Sequence, residues 1–374
     1  MLNGITIKGF RRYKEFKLSG FNEINFILGD NNIGKTSILE AIFTWACGQN
    51  VLPLMSIPMA RGRYTVFQNQ YWLMEELLAM VNERQKLPLT MSFEGEYNGK
   101  IEKFIHKIYP SDLLTDYDSS YKNSLDKIIP RTNEQVIAEQ QRTINLQLLG
   151  APVTVARWDI IKDKKTVSSR ITAPSTVVSN VRPFANAKFI DILSHTAIAE
   201  SLQMYSSLKR EGLMSEVVRK MEAVFPEIKG FDVLPYPDGS QATVSVVKED
   251  GSSLPMYACG DGVQRWFYII GALTIYRNAI LCIDEIDVGL HPNAQIEFCL
   301  NVTKYAIKNK VQLFITTHNL EFIDSYLSAV VKDETMSDKI NIFTLKEVDG
   351  DVHSRNLSAK DAYEVRREYN MELR

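Results

Sequence analysis

Cysteine is scarce in this chain, and the few present form no motif. Cys47, Cys259, Cys282 and Cys299 show no C-x-x-C spacing, which excludes a disulfide scaffold and argues against a zinc site. Cys282 sits in an apolar strand pattern and Cys299 beside Phe298 and Leu300, so both read as buried thiols suited to a reducing cytosol. Long apolar runs are missing too. The longest, Trp266 to Tyr276, falls well short of the about 20 residues that span a bilayer. No signal-peptide pattern precedes the first strand pattern, so a cytoplasmic protein with no membrane partner is expected. Neither sign of charge dominates: the net charge is −2, and any nucleic-acid contact would have to come from a local patch. There is no internal repeat, no low-complexity tail and no heptad run long enough for a coiled-coil arm. What remains is a globular composition, 45% hydrophobic and 24% charged over 374 residues. That is enough for a sizeable core and, by length, for two domains.

The patterns that are present change character along the chain. Strands are expected at Leu2–Phe10, Tyr13–Leu18 and Glu23–Leu28, then a helix from Thr36 to Trp45 with Ile38, Leu39, Ile42 and Phe43 on its apolar side. Residues 61–185 read as a β-rich accessory lobe. Asn98-Gly99 and Asp163-Lys164-Lys165 mark two hairpins, and the polar stretch Ser111–Ser124 reads as a surface loop. Residues 188 to 226 read as two short helices, one presenting Phe189, Ile192, Leu193 and Thr196, the other Leu213, Val217, Val218, Met221 and Val224. Strand pairs follow around Pro237-Asp238-Gly239 and Glu249-Asp250-Gly251. From Gly262 onward helices and strands alternate, which implies a parallel sheet. The expected segments are 1–60, 61–185, 186–256 and 257–374.

Four motifs stand in a fixed order on this framework. Gly29-Asp30-Asn31-Asn32-Ile33-Gly34-Lys35-Thr36 is a full G-x-x-x-x-G-K-[ST] loop between a strand and a helix. Its backbone N–H groups would surround a β-phosphate at the positive helix end. Lys35 would bridge the β- and γ-phosphates, and Thr36 would offer its hydroxyl to Mg²⁺. The nucleotide-contacting set is then Gly29, Asn31, Asn32, Gly34, Lys35, Thr36 and Ser37. Far downstream, Gly260-Asp261-Gly262 precedes a helix and could bind an anion. Its plainer reading is a turn with a cap. Arg265, on the first turn, would approach a phosphate or pair with an acid.

Ile280–Ile283 is an apolar strand ending in Asp284-Glu285. Asp284 would help hold Mg²⁺, and Glu285 would orient and deprotonate water. A solvated acidic turn is the plain alternative, and Lys35 upstream argues against it. The next strand ends in Thr316-Thr317-His318, which would place His318 beside the same phosphates. Gly289-Leu290-His291 follows the acids; His291 is either a contact across a subunit interface or a residue capping the next helix.

As a set these residues resemble ABC-type ATPases of the RecF/OLD-like branch. Phe10-Arg11 adds to the likeness, since it matches the phenylalanine-arginine step after the first strand of such heads. The resemblance implies a two-lobed α/β head with a parallel-sheet core, an antiparallel β lobe and a short helical insertion. It adds Arg11 to the nucleotide-contacting residues. It also implies a homodimer or higher homo-oligomer with two ATP molecules between one subunit's phosphate loop and the other's signature at Gly260, Asp261 and Gly262. Gly260 stands where the signature usually has serine. Gln68 and Gln70 are candidates for the glutamine loop. Full OLD nucleases carry a Toprim domain after the histidine switch. Here a short stretch follows His318, reading as a strand and a charged helix, so a nuclease or toxin effector is expected to be a separate protein.

Three functions follow as expectations. The first is an ATP-hydrolysing switch that controls a separate effector, as in bacterial anti-phage defence. The second is a RecF-like repair ATPase that binds DNA through Lys8, Arg11, Arg12, Lys14 and Lys17, or through Lys162, Lys164 and Lys165. The third is a transporter subunit, which the accessory lobe and the long separation of the first two motifs argue against.

Overall fold

The computed structural model describes residues 1–51, 76–83, 87–110, 153–173, 181–235, 241–289 and 292–369. The chain forms two compact units. One contains Gly20–Leu39 and Asn186–Arg374, the other Leu2–Ser19 and Glu40–Ala185.

The first unit is built on a six-stranded sheet. Its strands are β3 (Ile24–Gly29), β8 (Ala187–Ile190), β12 (Ile280–Ile283), β13 (Gln312–Thr316), β14 (Ile340–Val348) and β15 (Asp351–Ser358). Their order is β15-β14-β3-β13-β12-β8. All adjacent pairs are parallel except β14 with β15. Every residue of β3, β12 and β13 is buried, as expected for a sheet covered on both faces. The register pairs Ile283 with Ile315 and Thr316 with Ile27. The carboxyl ends of β3, β12 and β13 therefore finish along one edge, where open α/β sheets place their ligand crevice.

Helices α2 (Ile198–Arg210), α3 (Met214–Glu222), α4 (Asp261–Ile275), α5 (Pro292–Lys308), α6 (Leu320–Val330), α7 (Glu334–Ser337) and α8 (Ala359–Tyr369) complete this unit. A three-stranded antiparallel sheet also belongs to it, β9 (Ile228–Pro235), β10 (Ala242–Lys248) and β11 (Ser253–Pro255). From Val263 to Thr274, α4 is buried on all sides. Its rings fix its place: Phe267 lies 4.6 Å from Phe231, and Trp266 lies 4.5 Å from Phe298. A helix so enclosed has little freedom to turn about its axis.

The second unit is an antiparallel sheet, in order β2 (Tyr13–Ser19), β1 (Leu2–Phe10), β4 (Leu89–Tyr97), β5 (Lys100–Pro110), β6 (Val153–Lys162) and β7 (Lys165–Ala173). Asn98 and Gly99 both have positive φ, as do Asp163 and Lys164, so each hairpin closes on a two-residue turn whose twist suits the strands. The helix α1 (Lys35–Cys47) begins in the first unit and ends in the second.

The expected α/β class is the class observed, with corrections of detail. Phe189 belongs to β8, not to a helix. Four residues at a sheet edge, Ala187-Lys188-Phe189-Ile190, carry too short a pattern to separate the two readings. Ser194–Thr196 forms only a 3-10 turn. The stretch after His318 holds two strands, not one. The N-terminal segment is shared out, β1 and β2 joining the second unit and β3 the first. Ser111–Ser124, Pro237-Asp238-Gly239, Gln68 and Gln70 lie outside the described residues, as does His291. Cys47, Cys282 and Cys299 are buried thiols and Cys259 a partly exposed one, none of them in a disulfide. Among the described residues no helix is long and apolar enough to cross a membrane.

Candidate functional site

The phosphate-loop motif forms the turn that its glycines require. β3 ends at Gly29, whose φ is 143°. A side chain there would bring Cβ within 2.7 Å of the Leu345 carbonyl oxygen and 3.1 Å of the Ile33 side chain. Asn32 and Gly34 also have positive φ, 62° and 100°, and α1 starts at Lys35, so the loop leads into a helix N-terminus. Lys35 is buried. Its ammonium donates to the carbonyl oxygens of Gly29 at 2.7 Å and Asp30 at 3.0 Å. Asp30, Asn31 and Asn32 are exposed, while Gly34, Thr36 and Ser37 are half-buried. Gly29, Asp30 and Asn31 line a cavity together with His318.

The acids meet this loop through hydroxyl groups. Thr36 Oγ1 donates to both carboxylate oxygens of Asp284, at 2.9 and 3.1 Å. Thr316 Oγ1 donates to Asp284 Oδ1 at 2.6 Å and accepts from the Glu285 N–H at 2.9 Å. The Ile286 N–H donates to the Thr316 carbonyl oxygen at 3.1 Å. Glu285 Oε2 lies 2.7 Å from His318 Nδ1, the histidine half exposed and the glutamate largely covered. Lys35, Thr36, Asp284, Glu285 and His318 therefore lie around the ends of three neighbouring strands. Thr36 and Asp284 supply hard oxygen donors, as Mg²⁺ prefers beside phosphate oxygens and water. Among the described residues no three His, Cys, Asp or Glu side chains gather to hold a metal unaided. A site that takes its remaining ligands from substrate and solvent needs no such cluster.

Gly260 (φ 89°) caps α4, with Asp261 and Gly262 on its first turn. Gly260 and Asp261 are exposed. Arg265 is fully buried and holds carbonyl oxygens rather than a phosphate or a carboxylate. Burial pushes its guanidinium down to about 10, against the opposing pull of Asp287, Asp284, Asp191 and Glu285, so it stays charged at neutral pH. Arg11 belongs to the second unit. Its guanidinium grips Glu40 through Nε at 3.0 Å and Nη2 at 3.3 Å, and Nη1 donates to the Ala79 carbonyl oxygen. Of the basic clusters, Lys8 pairs with Glu15 at 2.7 Å and Lys162 with Glu102 at 2.6 Å.

Sequence reasoning missed the threonines. Thr316 props Asp284 and Glu285, while Thr317 donates to Asp287 Oδ1 at 2.6 Å. The signal was available: two hydroxyl residues at the end of a buried strand need partners. It also missed His195, buried with no partner for Nδ1 among the described residues. Burial and the nearby Arg265 charge push this imidazole down to about 4.

Known proteins resemble the chain as follows. A family model described as "AAA domain, putative AbiEii toxin, Type IV TA system" matches residues 93–324. A second, "AAA ATPase domain", matches residues 1–46. An ATP/GTP phosphatase of Helicobacter pylori is 23% identical over 365 residues, 93% of each chain. The DNA replication and repair protein RecF of Oenococcus oeni is 48% identical over 42 residues, 11% of each chain. Among solved structures, an Smc head bound to the C-winged helix domain of ScpA has a TM-score of 0.46 and 14% identity, covering 96% of this chain and 99% of that one.

Proposed function

We propose a function from one premise: the chain belongs to the AAA domain family whose model spans residues 93–324. It binds ATP at the Gly29–Thr36 loop and hydrolyses it to ADP and phosphate. The observation that carries this reading is the hydrogen-bonded chain from Thr36 through Asp284 and Thr316 to Glu285 and His318. An ATP/GTP phosphatase similar to the chain over nearly its whole length supports the same reaction.

The residues divide the work by chemistry. Gly29, Asn31, Asn32, Gly34 and Ser37 line the phosphate cradle, and Lys35 turns from the Gly29 and Asp30 carbonyl oxygens to the phosphates. Thr36 and Asp284 would hold Mg²⁺, which when bound would neutralise phosphate charge. Glu285 accepts the proton of the attacking water, and His318, bonded to that carboxylate, orients it and senses the γ-phosphate. Removing Glu285's proton-accepting capacity slows turnover without removing the cradle.

The Gly260-Asp261-Gly262 segment, exposed at Gly260 and Asp261, serves a second copy of the chain, closing a homodimer around ATP. Hydrolysis reopens it. This cytoplasmic switch acts on a separate effector protein, a nuclease or toxin, in the manner of OLD-like anti-phage ATPases. The toxin named in the family description fits such a setting. Purifying Glu285→Gln from its host with Mg-ATP tests this. A stoichiometric companion protein, released when ATP is withdrawn, is expected. The 42-residue likeness to RecF favours one alternative, a DNA-binding repair ATPase. Salt-sensitive DNA in the eluate with no companion protein would replace the effector reading by that one.

A further inference from the structure

The charge of Arg265 is buried in the first unit, yet no phosphate-loop residue uses it. Its side chain is 0% exposed. Nη2 donates to the carbonyl oxygens of Asp284 at 3.0 Å and Glu285 at 2.5 Å. Nε donates to the Ile286 carbonyl oxygen at 3.4 Å, and Nη1 to that of Ile192 at 3.3 Å. One planar fork thus joins the first turn of α4, the three residues after β12 and the turn after β8. A guanidinium suits this task because its donors hold fixed relative directions, which a lysine ammonium lacks.

The segment it holds is strained where the chemistry is. Glu285 has φ 48°, a left-handed conformation that a residue with a side chain seldom adopts. Such a conformation persists only where its surroundings enforce it. The Glu285 N–H is held by Thr316 Oγ1. Its carbonyl oxygen is held by Arg265 and by the Val288 N–H at 3.2 Å. The loop then returns to the same turn of α4. At Gly289 (φ 77°) a Cβ would lie 3.4 Å from the Asp261 Cβ and 3.9 Å from the Arg265 Cδ. Both ends of the acidic loop therefore rest on the helix that begins with Gly260-Asp261-Gly262.

We propose that Arg265 is a positioning residue: it fixes the Glu285 main chain to α4, so that the carboxylate stands beside His318 only while α4 keeps its place. The proposal rests on the ATPase reading above. Arg265 is fully buried, and it acts through Glu285. Any displacement of the Gly260-Asp261-Gly262 end of α4 is passed to the base's segment through the three hydrogen bonds from Arg265 to Asp284, Glu285 and Ile286.

The test compares Arg265→Lys and Arg265→Gln, each in the wild-type and the Glu285→Gln background. Affinity for a fluorescent ATP analogue, phosphate release and thermal midpoint are measured for each. Arg265→Lys should keep nucleotide affinity within about 3-fold and lower kcat by roughly 10- to 100-fold, as misplacing a catalytic group does. In the Glu285→Gln background it should add nothing, because the pair acts as one unit. Wild-type kcat in Arg265→Lys would overturn the proposal. So would equal losses in both backgrounds, a parallel loss of affinity, or failure of both variants to fold, since each marks a role not exercised through Glu285. Equal phosphate release by wild type and Glu285→Gln would instead remove the ATPase reading, and this proposal with it.

Discussion

The Lys35 ammonium donates to the carbonyl oxygens of Gly29 and Asp30, and a nucleotide would supply stronger, charged acceptors. Lys35→Ala should therefore weaken ATP binding on the order of 100-fold by calorimetry, the scale of losing one charge-stabilising group. His318→Ala should act differently, lowering turnover by roughly 10- to 100-fold while leaving affinity within a few-fold, because its ring bonds the Glu285 carboxylate and only borders the cavity that the loop lines. Equal effects on both would refute the division of roles. A second residue-scale prediction concerns stability. His106 is completely buried, its Nδ1 accepting from Trp158 Nε1 at 3.2 Å, and burial pushes it from 6.5 down to about 3. The unfolded chain takes up the proton first as pH falls. The neutral-His contribution is thus whole above about pH 6.5 and is lost progressively towards pH 3, by at most several kcal/mol. His106→Gln should flatten urea-derived stability between pH 7 and 4.5; an unchanged slope would show that other groups govern acid sensitivity. Most of the residues that the fold gathers at the candidate site were legible at this scale, because a phosphate loop, an acid pair after an apolar strand and a histidine one strand later each carry a local pattern. Thr316 and Arg265 were not assigned their partners, since those lie 31 and 20 positions away in sequence and a single chain does not show which backbone atoms they meet.

Elements were legible where their pattern is long. α4 and β12–β13 are found within a few residues of expectation because burial on all sides leaves an unbroken apolar run. β8 was hidden, since Ala187–Ile190 earns its strand only by pairing with β12. The β14–β15 hairpin could have been read from Asp349-Gly350, both at positive φ, the usual two-residue turn signal. In the second unit, β4 depends on Gly95 being small. A Cβ there would sit 2.5 Å from Trp45 Cε2 and 2.9 Å from Leu2 Cδ1. Trp45 is itself fixed by its Nε1 bond to the Glu102 carbonyl oxygen at 2.9 Å. Gly95→Ala should destabilise by about 1–3 kcal/mol, the usual cost of overpacking, measured as a lower urea midpoint. Unchanged stability would mean that the indole can move aside.

The whole molecule is a chain that leaves and re-enters its first unit, with α1 starting at the phosphate loop and ending in the second unit. No local sequence pattern reveals that β1 and β2 join β4 while β3 joins β13 and β14, because strand partnership is a property of the folded chain. The proposed homodimer would close over Gly260 and Asp261, which are exposed. Glu285→Gln with Mg-ATP should shift from monomer to dimer mass in light scattering, and ADP should not produce the shift. A monomer under both conditions would contradict the closed-dimer switch. The central claim is that this chain is an ATPase whose base is Glu285. Phosphate release from Mg-ATP by wild type and Glu285→Gln, with bound nucleotide measured alongside, tests it most directly. The account predicts equal binding and a loss of turnover on the order of 100-fold in the variant. Equal turnover in the two proteins, or no nucleotide bound by wild type, would contradict it.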